Sequence, residues 1–454
     1  NEAKLPKSKF ILEKRFTNMF VGIENKNKTF MKVCTKDPMN VPIVSRKIKG
    51  KIWENHILFH LNQAYDKGMV FGCEHTIVDM KDHLMAYLPV ELDKENLFGY
   101  YEQIFDMPTY SYKRCAIDIE VKVSSMRELN IYKANKEIIC VSVVGSDGFK
   151  RAYLLDKKGT EKISDANSGL MFLFKTEGEL LAQVFKDIKP YPIKLTYAGD
   201  SFDFPYIMQR AKKFKVKTPF KGKREWIGFK DGSLHIDLLK FFSNSAVRIY
   251  MFGKKYFRAS LAEVSKSLWG GIKLDRPDFV NESPENIGIY CLRDSELTLE
   301  ATTFDNENVM NAITMLCRLT NLDIEYVIRK TVSVWIRSTF EFVHRLYGYI
   351  IPSAEDFKAL SPDKEIMESV KGKLGSYRGA IVLDPEELGT VGTHFDVTPI
   401  DFGSLYPKSV ANHNISYDVL NCGEDECIEK NSIPELGIHF CTKGRGIVAR
   451  LIES

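Results

Sequence analysis

The sequence lacks a long hydrophobic run, a recognisable secretory leader and a strong net charge. Its longest strong apolar run, Ile138 to Val144, falls far short of the roughly 20 residues that a membrane-spanning helix needs. The chain opens at Asn1 rather than at Met, which favours a processed or trimmed product. A net charge of +4 permits a nucleic-acid partner without requiring one. These features predict a protein with no membrane partner.

Paired cysteine spacing is also absent. The nine cysteines are odd in number and scattered, which argues against a disulfide framework and for the reducing interior of a cell. Cys422, Cys427, His439 and Cys441 are all possible zinc ligands, but their spacing fits no strong zinc pattern. The sequence therefore leaves metal binding by this group open.

Apolar residues are plentiful enough for several cores. Hydrophobic residues make up 44% and aromatic residues 12% of the 454 positions, so we expect two to four domains. The first hundred or so residues indicate a mixed α/β domain without recognisable chemistry. Pro108 marks a hinge into the stretch around which the rest of the chain is organised.

That stretch, Cys115 to Val121, alternates with period two and predicts a strand. Its apolar side chains would point to one face, and Asp118 and Glu120 to the other. Two neighbouring carboxylates repel each other unless a cation lies between them, and oxygen ligands suit Mg²⁺ or Mn²⁺. The alternative is a solvated outer face of an edge strand.

A third carboxylate follows a second strand. Pro192 to Tyr197 predicts a buried strand that ends in a Gly-Asp turn, and Pro205 suits the first turn of a following helix. Asp203 would then lie at a strand-to-helix junction, where active-site groups of α/β sheets collect.

A fourth carboxylate is predicted on a helix. Ser283, Pro284 and Glu285 form a helix start with an N-cap, a proline in the first position and an acid in the first turn. Tyr290 and Asp294, four residues apart, would project from one face of this helix. Taken alone, such a pair is typical of a helix surface.

The patterns D-x-E, F-D-x-P-Y and Y-x-x-x-D occur here in the order of the three exonuclease motifs of family B DNA polymerases, which the sequence resembles. Tyr377-Arg378-Gly379-Ala380 resembles the motif between nuclease and polymerase, and Asp401 to Pro407 resembles polymerase motif A. His235 to Phe242 and the general spacing are most similar to archaeal members. The resemblance runs from about residue 110 to the last residue.

The resemblance implies an α/β, mixed, multidomain fold. It places an N-terminal domain at 1–107 and a ribonuclease-H-like 3′–5′ exonuclease domain at 108–310. A helical return segment at 311–347 would pack on the N-terminal domain. A partial palm with motif A would occupy 348–454 and stop at the fingers border.

For the nuclease, the resemblance implies that Asp118, Glu120 and Asp294 hold two divalent metals, Mg²⁺ or Mn²⁺. Asp203 would complete the carboxylate set, and Tyr290 would orient the attacking water. One departure concerns Ala198, where the family usually has Asn. The absence of this Asn puts binding of the primer end in doubt, but it hardly affects the expected metal chemistry, because the Asn holds no metal.

For the polymerase, the resemblance implies that Asp401 is one of two palm aspartates that bind two catalytic metals, with the carbonyl of Phe402 as a further ligand. Tyr406 would pack under the incoming sugar and exclude a 2′-hydroxyl. The remaining residues predicted to contact nucleotide or DNA are Ser404, Leu405, Phe202, Tyr377, Arg378, Gly379, Lys212 and Lys213. A solvated basic helix end is an equally good reading of the two lysines.

The function implied is a proofreading, replicative DNA polymerase that removes mismatched 3′ ends, in the cytoplasm or nucleoid of an archaeal cell. Its partners would be primer-template DNA, a single-stranded 3′ end, deoxynucleoside triphosphates and, as a further candidate, a sliding clamp. Fingers, second aspartate and thumb would come from a second polypeptide or further chain segment. A split polymerase, a clipped polypeptide and a portion of a longer chain remain open.

One alternative from another class is a non-catalytic, DNA-binding scaffold subunit of a polymerase assembly. A free-standing nuclease would leave motif A unexplained.

Overall fold

A six-stranded mixed sheet lies in the middle of the chain in the computed structural model of the protein. The structure describes residues 10–18, 27–35, 37–80, 83–88, 96–124, 126–223, 226–353, 386, 389–434 and 437–454. Residues 70–74 and 107–339 belong to the unit that contains the sheet, and the described parts of 1–69, 75–106 and 340–454 belong to a second unit. The domain boundaries drawn from the sequence stay predictions.

The strands among the described residues are Phe10–Asn18 (β1), Asn27–Thr35 (β2), Thr76–Met80 (β3), His83–Tyr87 (β4), Arg114–Val121 (β5), Ile138–Gly145 (β6), Lys150–Leu155 (β7), Met171–Phe174 (β8), Ile193–Thr196 (β9), Phe220–Lys223 (β10), Trp226–Phe229 (β11), Leu234–Asp237 (β12), Ser432–Ile433 (β13) and Ile438–His439 (β14).

Within the described ranges, the α-helices are Val41–Ser45 (α1), Phe59–Lys67 (α2), Leu97–Asp106 (α3), Glu177–Asp187 (α4), Asp203–Lys213 (α5), Leu238–Ser243 (α6), Leu261–Trp269 (α7), Pro284–Thr320 (α8), Ile324–Arg329 (α9), Val332–Leu346 (α10), Leu405–Asn412 (α11), Asp425–Lys430 (α12) and Ile447–Glu453 (α13). Short 3₁₀ turns lie at Pro38–Asn40, Met126–Glu128 and Tyr417–Val419, and a π turn at Val247–Met251. Helix α8 is broken at 304–307, where the backbone is not helical.

The large sheet has the strand order β12-β9-β5-β6-β7-β8. Strands β12, β9 and β5 are parallel, β6 runs antiparallel to β5 and to β7, and β8 is parallel to β7. The carboxylate strand predicted from the sequence is β5, and it is an inner strand of the sheet. The edge-strand alternative is therefore wrong.

Alternation along β5 divides the two faces of the sheet. Ile117, Ile119 and Val121 are buried on the face covered by α4 and α5, with Leu180, Val184, Phe204 and Ile207 in the same core cluster. Each such side chain contributes about 1.5–3 kcal/mol by leaving water. The opposite face, which carries Asp118 and Glu120, packs against α8.

Capping residues mark the first turns of two of these helices. Thr176 caps α4 in a capping box, accepting from the Glu179 N–H while the Glu179 carboxylate accepts from the Thr176 N–H. Ser283 caps α8, with Pro284 in the first position. Gly288 lets α8 approach the sheet closely, because a Cβ there would lie 3.0 Å from the Met171 sulphur.

The second unit contains the hairpins β1–β2, β3–β4 and β13–β14. Tyr65, Tyr100 and Phe342 pack their rings together, and Arg345 donates to both Glu54 and Asp66 at 2.6 Å. Among the residues that the structure describes, no helix is both long and apolar enough to cross a bilayer.

Candidate active site

Three carboxylates from distant parts of the chain meet beside the middle of the large sheet. One oxygen each of Asp118, Glu120 and Asp294 lies within 4.8 Å of the others. Asp118 and Glu120 come from β5, and Asp294 comes from the end of the third turn of α8. The structure thus brings together the three residues that the sequence predicts as metal ligands.

Helix α8 is fixed to the sheet next to this group. The Ser142 hydroxyl, on the β6 residue paired with Asp118, donates to the Cys291 carbonyl at 2.7 Å and contacts the Ser295 hydroxyl at 2.6 Å. These buried contacts set the height of α8 against β5. They therefore determine how closely Asp294 approaches the strand carboxylates.

Asp203 is the fourth acidic member of the site. It is the first residue of α5 and is 2% exposed, and its Oδ1 makes no hydrogen bond. Burial raises the pKa of Asp203 to about 7, with nearby Asp237 and Asp294 adding to the effect. A carboxyl group buried this deeply, with an oxygen left unpaired, is costly unless a proton or cation accompanies it.

The three clustered carboxylates also have raised pKa values, and burial is the largest cause for each. Burial, and then repulsion from Asp203 and Asp294, raise the pKa of Asp118 well above its ordinary value. Burial, Asp118 and Asp294 do the same for Glu120. Burial also raises the pKa of Asp294, against the opposing effect of Lys273. The site therefore favours positive charge.

Lys273 provides one such charge and was missed by the sequence analysis. Its Nζ donates to Asp294 Oδ2 at 2.6 Å, while the other oxygen of Asp294 is buried without a partner. Burial opposes the lysine charge, but Asp294 outweighs it and raises the pKa of Lys273. Lys273 lies in a loop without periodicity, so no local pattern could have singled it out.

Tyr290 lies one helical turn before Asp294, as predicted. Its ring packs edge-on against Phe279 at 5.8 Å between centroids, and Lys273 Nζ lies 5.3 Å from the ring centre. Burial, followed by the charge of Asp294, raises the pKa of Tyr290 to about 12. Its phenol therefore keeps its proton and can both donate and accept a hydrogen bond.

A cavity of about 300 Å³ opens onto these groups. Its lining includes Asp118, Glu120, Tyr290 and Asp294, together with Phe202, Lys273 and Arg276. An adjoining cavity of about 520 Å³ shares Asp118, Lys273 and Asp294. A chain with charged phosphates and flat bases would meet acids, cations and an aromatic ring here.

A buried polar network holds the turn that leads to Asp203. Asp237 accepts from the N–H groups of Ala198 and Asp200, at 2.9 and 3.0 Å. Asp200 accepts from Arg329 Nε at 2.7 Å, and although burial opposes its charge, His235 and Arg329 hold its pKa well below the usual range. The sequence analysis missed this supporting set, whose members come from separate segments.

The other predicted residues do not join this site. Asp401, Phe402, Ser404, Leu405 and Tyr406 are exposed, with Phe402 at 71% and Tyr406 at 68%. Asp401 lies in irregular chain before α11, and Ser404 has a left-handed backbone with φ of 57°.

Two further groups of residues were predicted to contact DNA. Lys212 and Lys213 are exposed in the last turn of α5, at the end opposite Asp203, where cations suit the helix dipole. Tyr377, Arg378 and Gly379 lie outside the described residues.

The carboxylates fit a divalent cation. Asp118, Glu120 and Asp294 offer converging hard oxygen donors, and unpaired buried oxygens remain on Asp203 and Asp294. Lys273 neutralises only part of this negative charge, because its ammonium contacts a single oxygen, Oδ2 of Asp294. The donor set therefore matches that of a Mg²⁺ or Mn²⁺ site better than that of a zinc site.

Comparison with known proteins agrees with this geometry. The family described as DNA polymerase family B, exonuclease domain, matches residues 50–250, and DNA polymerase family B matches residues 324–448. DNA polymerase 1 of Sulfolobus acidocaldarius is 32% identical over 423 residues, 88% of this chain and 47% of that protein. DNA polymerase 1 of Saccharolobus solfataricus is 33% identical over 86% of this chain and 46% of its own length.

A solved structure shares the fold. The family B DNA polymerase from the archaeon Pyrobaculum calidifontis superposes with a TM-score of 0.63 at 16% identity, over 97% of this chain and 54% of that one. The chain spans about half the length of the curated relatives it matches.

The class defined by these findings is an α/β protein with a ribonuclease-H-like exonuclease domain, as predicted. The chain belongs to DNA polymerase family B. Exonuclease and polymerase domains of this family generally depend on divalent metals.

Proposed function

We propose that this chain hydrolyses the terminal phosphodiester bond at the 3′ end of a DNA strand. The observation that carries the proposal is the convergence of Asp118, Glu120 and Asp294 within 4.8 Å in an open cavity. Carboxylates in this arrangement can hold metal ions that stabilise the negative charge growing on the phosphate oxygens during phosphodiester hydrolysis.

Asp118, Glu120 and Asp294 would hold two Mg²⁺ or Mn²⁺ ions, with Asp203 completing the acidic set. Bound there, the cations supply positive charge that stabilises the charge developing on the phosphate. Tyr290, which keeps its proton, would orient the attacking water through its hydroxyl. Phe202 lines the cavity and offers a ring on which a terminal base can stack.

Lys273 would have two tasks. Its ion pair with Asp294 fixes that carboxylate, and its ammonium adds positive charge to the wall of the cavity where the scissile phosphate would lie. Arg276 lines the same cavity and would add to the attraction of the strand. Lys212 and Lys213 would contact phosphates further along the strand, away from the cavity.

We further propose DNA synthesis as the activity of the complete protein. This proposal rests on the family membership and on the motif around Asp401, which would bind metal together with the Phe402 carbonyl. Ser404, Leu405 and Tyr406 would contact the incoming deoxynucleoside triphosphate. Primer-template DNA would be a partner of this activity. Three further expectations rest on the resemblance alone: a segment or subunit that carries the fingers, the second aspartate and the thumb, a sliding clamp, and a location inside an archaeal cell.

A labelled primer tests the nuclease. The protein is incubated with a 5′-labelled primer whose 3′ end is mismatched, in Mg²⁺, in Mn²⁺ or in a chelator. We expect a ladder of labelled products shortened from the 3′ end, which disappears with the chelator. Because the label is on the 5′ end, removal of nucleotides from that end would instead release it as a short fragment.

The scaffold alternative makes the opposite forecast. A non-catalytic DNA-binding subunit would bind the mismatched primer without shortening it in either metal. Full-length labelled primer, recovered from a bound complex, would therefore overturn the proposed activity while leaving DNA binding intact.

A further inference from the structure

Three cysteine thiols meet in the C-terminal part of the second unit. The Sγ atoms of Cys422, Cys427 and Cys441 all lie within 4.8 Å of one another, and those of Cys427 and Cys441 are 4.0 Å apart. A fourth donor is adjacent, because His439 Nε2 lies 3.7 Å from Cys422 Sγ. The carboxylates of the nuclease site take no part in this group.

The backbone around the group holds the donors in place. Cys422 lies in a turn whose neighbours, Asn421 and Gly423, both have left-handed backbones. Asn421 closes the turn onto β14, since its N–H donates to the His439 carbonyl at 2.9 Å and its side chain accepts from the His439 N–H at 3.0 Å. The Cys441 N–H donates to the Val419 carbonyl at 2.8 Å.

The third thiol arrives on a short helix that is joined to the same hairpin. Cys427 is fully buried on α12. Directly after this helix, the Asn431 carbonyl accepts a hydrogen bond from the Phe440 N–H at 3.0 Å. Turn, helix and hairpin are thus connected by hydrogen bonds, and each carries at least one of the four donors. Their side chains point to one place although their sequence spacing matches no common motif.

The distances approach those of a tetrahedral site. A zinc–sulphur bond of about 2.3 Å places two sulphur ligands roughly 3.8 Å apart, and a zinc–nitrogen bond of about 2.0 Å places sulphur and nitrogen roughly 3.5 Å apart. The Cys427–Cys441 and Cys422–His439 pairs lie at 4.0 and 3.7 Å. The three sulphurs therefore lie close to tetrahedral spacing, whereas His439 is near Cys422 and its imidazole must turn further toward the other two sulphurs to complete four-fold coordination.

The surroundings of Cys427 favour the thiolate form that a metal requires. The Thr442 N–H donates to its sulphur at 3.3 Å, and the Thr442 hydroxyl lies 3.3 Å away. Hydrogen bonds to the charged form of a ligand stabilise it and fix its orientation. A simple disulfide would use only two of the three thiols and would leave the histidine without a role.

We propose that Cys422, Cys427 and Cys441 bind one Zn²⁺ ion, with His439 Nε2 as the fourth ligand. Three thiolates and one imidazole form a closed structural site with no coordination position left for substrate. The ion would tie the Cys422 turn, α12 and the β13–β14 hairpin into one body. Its contribution is to stability, because metal binding and folding are coupled.

Cobalt(II) provides the probe for this proposal. Reduced, metal-free protein is titrated with Co²⁺ and then with Zn²⁺, while the visible spectrum is recorded. We expect sulphur-to-cobalt charge transfer and intense tetrahedral bands that saturate at one equivalent and vanish when Zn²⁺ displaces the cobalt. Cobalt at the oxygen-rich nuclease site gives only weak bands without sulphur charge transfer, so the two sites are distinguished.

Matched variants assign the ligands. Cys422→Ser changes an exposed side chain and should weaken binding by at least about 100-fold, more than the 10–100-fold typical of an outer partner. Cys73→Ser removes a thiol outside the cluster and should bind as the parent does. His439→Ala should weaken binding, and His413→Ala, at an exposed histidine, should not.

Measurements on the wild-type protein are enough to overturn the proposal, so the test does not depend on whether the variants fold. Absence of sulphur charge transfer in the reduced parent would refute the site, as would iron rather than zinc in protein purified without chelator. A Cys427–Cys441 disulfide that forms at equal rate with and without Zn²⁺ would refute it too. Unchanged affinity in His439→Ala would remove His439 from the ligand set.

Discussion

Two aspartates with equally clear motifs lie in very different surroundings. Asp118 has Glu120 and Asp294 within 4.8 Å, belongs to an inner strand of the sheet and lines a cavity. Asp401 is exposed in irregular chain, and its neighbours Phe402 and Tyr406 are more than two-thirds exposed. A motif therefore identifies a residue, whereas chemistry also needs partners brought to it by the fold.

The physical difference lies in desolvation. Around Asp118, burial raises the pKa of every carboxylate in the group and like charge adds to it for Asp118 and Glu120, so the site gains free energy when cations arrive. An exposed carboxylate keeps its water and gains little from one cation. We therefore expect digestion of DNA to fall strongly when the acids around Asp118 are removed, and to be unaffected when Asp401 is removed.

The largest effect should come from the double change Asp118→Ala and Glu120→Ala. It removes two of three converging donors, so 3′ digestion of a mismatched primer should fall to the level seen with chelator. Binding to labelled DNA should remain largely intact, because the removed groups repel phosphate. A matched variant, Asp401→Ala, should digest the primer at the parental rate.

The two results together test the separation of the sites. In the complete protein, Asp401→Ala should eliminate primer extension by deoxynucleotides and spare digestion. Equal loss of digestion in both variants would contradict the view that the two aspartates serve different metals.

Tyr290→Phe should have a smaller effect on the same assay. It removes one positioned hydroxyl and keeps the ring that packs against Phe279, so we expect a loss of about 10–1,000-fold in the single-turnover digestion rate. Asp294→Ala is the reference for complete loss. If the two variants were equally inactive, Tyr290 would need a role beyond orienting water.

A buried histidine in the unit that carries Asp401 should give an acid-sensitive stability. His344 contacts the Phe340 carbonyl and the Tyr417 hydroxyl, each at 2.6 Å, and burial lowers its pKa to about 4. A lowered histidine pKa means that the unfolded chain takes up a proton first as pH falls. Stability should therefore decline from about pH 6.5 downward, by about 2 kcal/mol at about pH 5.

Denaturant unfolding at several pH values measures this effect. His344→Gln removes the titrating group and should flatten the profile between about pH 7 and pH 5. His413→Gln, at an exposed histidine, should keep the parental slope. A parental slope in His344→Gln would assign the acid sensitivity to other groups.

The smallest effect concerns Ala198, at the residue where the family usually has Asn. Its φ of +77° is unfavourable for alanine, so Ala198→Gly should raise the free energy of unfolding by about 0.5–1 kcal/mol. Ala198→Asn should also stabilise, because Asn tolerates this conformation better. Ala182→Gly, at an exposed position in the middle of α4, should destabilise by about 1 kcal/mol.

Thermal or denaturant unfolding of the three variants measures whether the left-handed backbone at residue 198 is strained. A destabilising Ala198→Gly would show that the left-handed turn before Asp203 is not a source of strain. The pair of glycine variants controls for the general cost of glycine in the unfolded chain.

Much of the site was predictable because its signals are local. Period-two alternation placed Asp118 and Glu120 on one face of a strand, and the Ser283–Pro284 start set the helical spacing of Tyr290 and Asp294. Lys273 was not predictable, since its ion pair with Asp294 depends on where a loop passes over the sheet. Nor was the Asp237–Asp200–Arg329 network, whose members come from three segments.

The sequence by itself determined the elements, the carboxylates and the family, because hydrophobic period, capping residues and motif order all act over a few residues. Only the tertiary structure decided that β5 is an inner strand, that Asp294 and Lys273 pair, and that three cysteines meet. Those outcomes depend on packing between segments far apart in the chain. Burial, and with it the raised pKa values that suit the acidic group to cations, exists only after that packing is complete.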